Sequence, residues 1–326
     1  MKTKVLSLLR TNREYISGQE LCEQFGISRT AIWKIIKQLK EDGYEIDAVT
    51  NKGYKLKSYP DILSKEEIAS RIQTKWVGCQ VVFLEETGST NAEARSLAEK
   101  GFPHGTLIVA DSQTGGKGRR GRSWYTPKGS SIAMSLILKP ELEAEYASGL
   151  TLVQAMAAAK AIEEICNLEV KIKWPNDILV NEKKVCGILT EMNMEMTEIS
   201  SIIIGTGINV NQEWFPEEIS EIATSLKIEK KRMQSRADLI ERICELFEEY
   251  FEMFMESKSL AAFKEEYNSY LISCGRIVKV LDPKGEFTGK SLGVNERGEL
   301  CVQKENGDIV LVYAGEVSVR GIYGYV

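Results

Sequence analysis

Between residues 17 and 43, in SGQELCEQFGISRTAIWKIIKQLKEDG, the apolar side chains fall at Leu21, Phe25, Ile27, Ile32, Ile35, Ile36 and Leu39. That spacing is helical. It predicts two helices, the first broken by Gly26 and the second capped by Ser28. From Tyr44 to Lys57 the period falls to two around Asn51-Lys52-Gly53, which predicts a hairpin with Lys52 at its tip. Two short helices followed by a hairpin read as a helix-turn-helix with a wing. Its second helix would turn Arg29, Thr30, Trp33, Lys34 and Lys37 outward. A helical protein–protein module is the plainer alternative. Pro60 and Ser64 then punctuate a linker, and Ser64 with Glu67 has the spacing of a capping box.

Beyond the linker the pattern alternates between apolar runs and longer helical stretches as far as about Tyr270. Strands are expected at 80–85, 106–112, 131–138, 170–174, 177–181, 186–193 and 200–208. Helices are expected at 90–100, 146–166, 236–256 and 259–271. The helix at 146–166 is rich in alanine, which suits close packing on a sheet. From Gly275 onward, short alternating strands separated by glycine turns predict a small β-barrel.

Charge divides the chain. Residues 1–57 hold eleven Lys/Arg against seven Asp/Glu, net +4, and the remainder carries −9 of the total −5. A split of this kind predicts a first module whose partner differs from that of the rest. Seven scattered cysteines without a C-x-x-C pair suit reduced cytosolic thiols better than disulfides or zinc. His104 is the single histidine, which argues against His-based metal clusters and a Ser-His-Asp triad and leaves His104 a structural role. Met1–Arg10 lacks the apolar core of a signal peptide and no run reaches membrane-spanning length, so a cytoplasmic location is expected.

Against the acidic balance stands GGKGRRGRSW, residues 115–124, held between the apolar runs TLIVADSQ and SIAMSLIL. A basic loop pinned between core strands is not a disordered tail. Its glycines admit close backbone approach, and arginine offers forked donors to phosphate or carboxylate, so it reads as an anion-binding loop rather than a solvated turn. In VKIKWPNDILVNEKKVCGILTE, Pro175 interrupts two strands, so Trp174–Asp177 should turn at an edge or bulge. Asn176 and Asp177 there suit a polar ligand or a magnesium–phosphate group, although an ordinary Pro-Asn-Asp turn would look the same. Lys184, before the close-approach Gly187, is either a surface charge or a group that stabilises a reacting anion. Ser89, Thr90 and Asn91 offer an N-cap and hydroxyl groups, and capping alone would account for them. GTGINVN, 205–211, is not a nucleotide fingerprint.

Taken in order, GSTN, GGKGRRGRSW, KWPND, KKVCGIL and GTGINVN resemble the biotin protein ligases over essentially the whole chain, and the first module resembles that of the bifunctional ligase–repressors. The resemblance implies an α+β multidomain chain: a winged helix-turn-helix (1–60), a class II aminoacyl-tRNA synthetase-like α/β domain (61–272) and an SH3-like barrel (273–326). It implies activation of biotin by ATP and Mg²⁺ to biotinyl-5′-AMP and transfer to a lysine of a carboxylase carrier domain. It also implies a homodimer on operator DNA. Ser89, Thr90, Asn91, Gln113, Gly116, Lys117, Gly118, Arg119, Lys184 and Gly187 would hold biotin. Arg119, Arg120, Arg122, Trp124, Lys173, Asn176, Asp177, Asn209 and Arg320 would serve the nucleotide, with Lys184 and Arg119 catalytic. Gly18, Gln19, Ser28, Arg29, Thr30, Trp33, Lys34, Lys37 and Lys52 would face DNA. No protein ligand to a metal is assigned. Lys117 stands where many members carry arginine, so a backbone role suits it better than a bidentate one. The related lipoate ligases lack the arginine-glycine loop, a pure ligand sensor would not need Lys184, and no tRNA-binding extension is evident.

Overall fold

Gly26 adopts a φ of 64° and Ser28 accepts the Ala31 N–H, so the break and cap expected from sequence are both present in the computed structural model. Residues 1–195, 198–281, 285–313 and 318–321 are described, the last four by backbone alone. The first module contains α1 (Lys2–Thr11), α2 (Gly18–Phe25), α3 (Arg29–Glu41) and the hairpin β1 (Glu45–Val49) with β2 (Gly53–Ser58). Helix α1 was not anticipated. Its Val5, Leu6 and Leu9 complete one small core with Leu21, Ile32, Ile36 and Leu39.

The linker opens α4 (Lys65–Arg71), where Ser64 accepts the Glu67 N–H. Glu67 does not close the expected capping box. Its carboxylate is fully buried and accepts from Arg71 Nε (2.7 Å), Arg10 Nη2 (2.8 Å) and Tyr44 OH (2.5 Å). Arg71 holds the carboxylate from its own helix, and Arg10 and Tyr44 join it to the first module.

The central sheet has seven strands in the order β3-β4-β5-β9-β8-β7-β6. They are β3 (Val81–Thr87), β4 (Leu107–Gln113), β5 (Ser131–Leu138), β6 (Lys171–Lys173), β7 (Asp177–Val180), β8 (Lys183–Glu195) and β9 (Glu198–Asn209). Only β3 and β4 run parallel, and every other neighbouring pair is antiparallel. Helices α6 (Gly149–Cys166) and α9 (Arg236–Ser257) cover one face, over Ile132, Met134, Leu136, Ile202 and Ile204. Helix α5 (Thr90–Glu99) covers part of the other, over Ile108, Ile137 and Ile203. Side chains alternate between the faces, as the pleat requires.

Helix α6 begins at Gly149 rather than 146, after a single tight 3-10 turn at Ala144–Tyr146, and Gly149 lies so close to Phe254 that a Cβ there would sit 2.6 Å from that ring. After the short helices α7 (Glu217–Ser220) and α8 (Leu226–Lys230), the helix expected at 259–271 shortens to α10 (Lys264–Tyr270). Leu260 has turned inward instead, fully buried, with its N–H on Glu296 O at 2.7 Å. The C-terminal part is an antiparallel sheet of β10 (Ile277–Leu281), β11 (Phe287–Val294), β12 (Leu300–Gln303), β13 (Ile309–Val312) and β14 (Ser318–Gly321), in the order β13-β12-β11-β10-β14.

Candidate active site

On the α5 face the sheet changes character along its strands. Ile137 and Ile203 lie under the helix, but two to four residues further along the same face stand Ala133, Ser135, Gly205 and Gly207. Gly207 pairs with Gly187 of the next strand. With only the small side chains of Ala133 and Ser135 on that half of the face, a cavity of about 510 Å³ opens beside the N-terminus of α5. That end carries partial positive charge, which favours an anion.

Trp124 closes the glycine floor. A Cβ on Gly207 would fall 2.3 Å from Trp124 Nε1, and one on Gly187 would fall 3.0 Å from both the indole and Lys184 Nζ. Lys184 Nζ sits 5.3 Å above the indole and 2.6 Å from Asp177 Oδ1. The Trp124 N–H is buried without a protein acceptor among the described residues, a donor left for a ligand.

The basic loop is a small closed hairpin rather than an open tail. Gly118 N–H donates to Arg122 O at 2.7 Å, Lys117 bridges to Ser123, and Arg120 takes the left-handed φ of 58° within a single tight turn. Gly116 lies beneath the loop and does not line the cavity, since a Cβ there would meet Trp124 O at 2.6 Å. The exposed Lys117 uses its backbone for the bridge. Arg119 donates to Asn176 Oδ1 at 3.1 Å, and Asn176 in turn is held on Ile188 by bonds in both directions. Burial pushes the Arg119 pKa down, and the Asp177 carboxylate opposes that shift. The Trp174–Pro175 bond is cis, at the turn between β6 and β7 on the sheet edge, and buried Trp174 donates its indole N–H to Gly298 O, in the turn that joins β11 to β12.

Ser89 occupies the N-cap position of α5 but makes no capping bond, so capping does not explain it. Gln113 does that work instead, accepting Thr90 N–H at 2.8 Å and Thr90 Oγ1–H at 3.1 Å. Asn91 is committed to Ser135, Leu189 O and Glu191, and Asn209 to Gln212 and Thr224 O. These two line the cavity as braces of its wall.

Lys117, Arg119, Arg120, Arg122, Lys173 and Lys184 face the cavity, against one carboxylate, Asp177. Ser89, Thr90, Asn91, Gln113, Gly118, Trp124, Asn176, Gly187 and Asn209 line it too. Arg320 lies on β14 opposite Lys279, and its side chain falls outside the described residues. One wall was missed from sequence: Phe215, Ile219, Ile222 and Ala223. It is stitched to Lys184, whose N–H donates to Ile222 O and whose carbonyl accepts Thr224 N–H. The spacing of Phe215, Ile219 and Ile222 was the available signal.

On the first module, Arg29, Thr30, Trp33, Lys34 and Lys37 are all exposed along α3, and Lys52 is exposed between β1 and β2. Arg29 Nη2 donates to Gln19 Oε1 at 2.9 Å, and Gly18 begins α2 beside Tyr54. The Ser28 hydroxyl is occupied as a cap.

A helix-turn-helix is thus joined to a cationic, glycine-floored cavity suited to an anionic ligand, and both parts match known families. Residues 83–209 match the Biotin/lipoate A/B protein ligase family, 2–55 an HTH domain and 273–320 the Biotin protein ligase C terminal domain. The Bifunctional ligase/repressor BirA of Bacillus subtilis is 39% identical over 95% of both chains, and that of Escherichia coli is 29% identical over 97% of this chain and 96% of its own. The structure of the Aquifex aeolicus biotin protein ligase in complex with biotin and ATP superposes with a TM-score of 0.66 at 34% identity, covering 74% of this chain and 99% of its own. The chain belongs to the bifunctional biotin ligase/repressor family, and it is a biotin protein ligase.

Proposed function

We propose that the cavity binds biotin and ATP and joins them as biotinyl-5′-AMP. A biotin carboxylate oxygen attacks the α-phosphorus and pyrophosphate leaves. The amine of one carrier-domain lysine then attacks the biotinyl carbonyl, loses its proton, and expels AMP. The observation that carries this reading is the convergence of Lys184, Arg119 and the α5 N-terminus on one cavity whose floor is glycine. Lys184 stands where carboxylate and α-phosphate meet and stabilises the charge that develops there in both steps. Arg119, Arg120, Arg122 and Lys173 balance the phosphates. Ser89, Thr90, Gln113 and the loop backbone at Lys117 and Gly118 orient biotin, while Gly116 lets Trp124 pack closely beneath them.

Mg²⁺ fits this site as a partner of the phosphates. Asp177 is the single carboxylate among the lining residues, and magnesium is commonly held by one or two carboxylates plus substrate phosphates and water. When bound it supplies charge neutralisation, while Lys184 and the arginines orient the reacting groups.

The mixed anhydride hydrolyses if water reaches it, so the loop Gly115–Trp124 orders over the adenylate and excludes solvent. The domains divide near residues 60 and 272. The first reads operator DNA through Arg29, Thr30, Trp33, Lys34, Lys37 and the Lys52 wing. A net charge of +4 is small for one module against salt, and a homodimer on a two-fold site doubles the contacts. The reaction belongs in the cytoplasm, and no helix among the described residues is long and apolar enough to cross a membrane.

The test is incubation with ATP, labelled biotin and a carrier domain, in which label appears on the acceptor lysine. Absence of both adenylate and labelled acceptor refutes the catalytic reading. A mobility-shift titration on an inverted-repeat operator, with and without biotin and ATP, tests the switch, and equal affinity in both conditions refutes it.

A further inference from the structure

Arg236 opens α9, yet its side chain does not stay with the helix. It is 2% exposed, among the largest fully buried groups of the chain. Its backbone N–H donates to Asp61 Oδ1 at 2.9 Å, Nε to Asp61 Oδ2 at 3.0 Å, and Nη2 to Asp61 O at 3.1 Å. Nη1 reaches the other way, to Asp111 Oδ1 at 2.6 Å and to Ser131 O at 3.3 Å. Asp111 gives its second oxygen to Gly129 N–H at 3.1 Å. Asn211 completes the cluster: Nδ2 donates to Asp61 Oδ2 and its backbone N–H to Ser130 O.

The direct partners of Arg236 come from two places, and Asn211, just after β9, braces both. Asp61 belongs to the linker that carries the first module. Asp111 lies on β4 where the chain enters the basic-loop segment, and Gly129, Ser130 and Ser131 lie where it leaves. A planar fork shared by two carboxylates fixes direction as well as distance, and a close-packed interior shifts between discrete arrangements rather than stretching. We propose that Arg236 is a positioning residue that clamps the linker of the winged helix to the two strand ends, at Asp111 and at Gly129–Ser131, between which the basic loop is hung. Ordering of the loop then biases the linker, and the linker biases the loop by the same free energy. The clamp supplies a route for the ligand-to-DNA switch and rests on that reading for its purpose, though not for its test.

Asp61 touches neither the cavity nor the loop tip. In the full chain without ligand, Asp61→Asn raises tryptic cleavage at Lys117–Arg122 about tenfold, the size of an ordinary coupling between groups in one network, while cleavage elsewhere is unchanged. Asp61→Glu keeps the charge but moves the carboxylate by one methylene. It behaves the same way and replaces the first variant if that one does not fold. A purely structural arginine predicts instead a lower melting temperature with uniform cleavage. A folded variant whose loop is cleaved within about twofold of wild type overturns the clamp. On a duplex selected from random DNA by the wild-type chain, the clamp also predicts that biotin plus ATP tightens wild-type binding more than variant binding. A wild type that ignores the ligands counts against the switch, while the cleavage result still decides the clamp.

Discussion

Lys184→Ala isolates the charge at the centre of the proposed reaction. The ammonium lies 2.6 Å from Asp177 Oδ1, with side-chain exposures of 22% and 15%, so both charges are largely shielded from water. Two unit charges about 4 Å apart interact by about 4 kcal/mol at an effective dielectric constant near 20. Removing one preorganised donor costs about 10²–10³ in rate, equivalent to about 2.7–4 kcal/mol. Adenylate formation should therefore fall by about 10²–10³. The loss has two parts that can be separated. Without Lys184, the Asp177 carboxylate also repels the incoming phosphates, which raises KM for ATP. Lys184→Ala with Asp177→Asn removes that repulsion together with the one carboxylate offered to Mg²⁺, so KM is not expected to recover fully, and kcat should stay depressed because only the ammonium follows the charge from carboxylate to α-phosphate. Single-turnover adenylation measured by quench, with stability checked by urea denaturation, supplies the assay. Near-wild-type kcat in Lys184→Ala removes the lysine from the reaction. A double variant that recovers kcat shows that the lysine only neutralises Asp177.

Gly207→Ala puts a Cβ 2.3 Å from Trp124 Nε1. Overpacking of this kind costs about 1–3 kcal/mol, so biotin should bind more weakly, with a shift in tryptophan fluorescence, and a wild-type Kd would remove the indole from the floor. Glu67→Gln discharges a fully buried carboxylate between Arg10 and Arg71 and should cost about 3–5 kcal/mol in urea denaturation; an unchanged midpoint counts against the junction as a source of stability. His104 is held below its ordinary pKa by burial, and its Nδ1 accepts Lys139 N–H at 2.9 Å. The folded state therefore binds the proton less readily than the unfolded chain. The stabilisation is complete above the unfolded value of about 6.5 and is lost as pH falls through the lowered folded value, so His104→Asn should flatten that part of the stability profile.

The central strands were legible as short continuous apolar runs, because β4, β5 and β9 are buried on both faces, between α6 and α9 on one side and α5 and the cavity wall on the other. Helical spacing made α2 and α3 legible. Ion pairs leave no such trace. Arg236 meets Asp61 and Asp111 across 175 and 125 residues, and Arg71 meets Glu241 across 170. No local spacing announces those partners, which is why the linker read as mere punctuation. Gln113 was named for biotin, yet in the structure it also caps α5 across a separation of 23 residues. The wall at 215–223 escaped because its apolar residues are few and its helix is one turn long.

The pocket itself shows why local motif strength is a poor guide to a site built from paired strands. Read alone, GTGINVN is a weak glycine run that fits no nucleotide fingerprint. Its meaning depends on register: Gly205 and Gly207 share a face with Ile203, and Gly207 lies opposite Gly187, which the sequence places 20 residues earlier in another motif. A shift of one residue would send both glycines to the α6 side and aim Thr206 and Ile208 at the ligand. Eight backbone pairs with β5, together with the fully buried Ile202, Ile203 and Ile208, hold that register. The floor is thus specified by the apolar half of each strand, while the chemistry is supplied by the basic loop and by Lys173, Asp177 and Lys184 at the ends of β6, β7 and β8. That division lets a chain of net charge −5 assemble six cations around one cavity without placing any of them in its core.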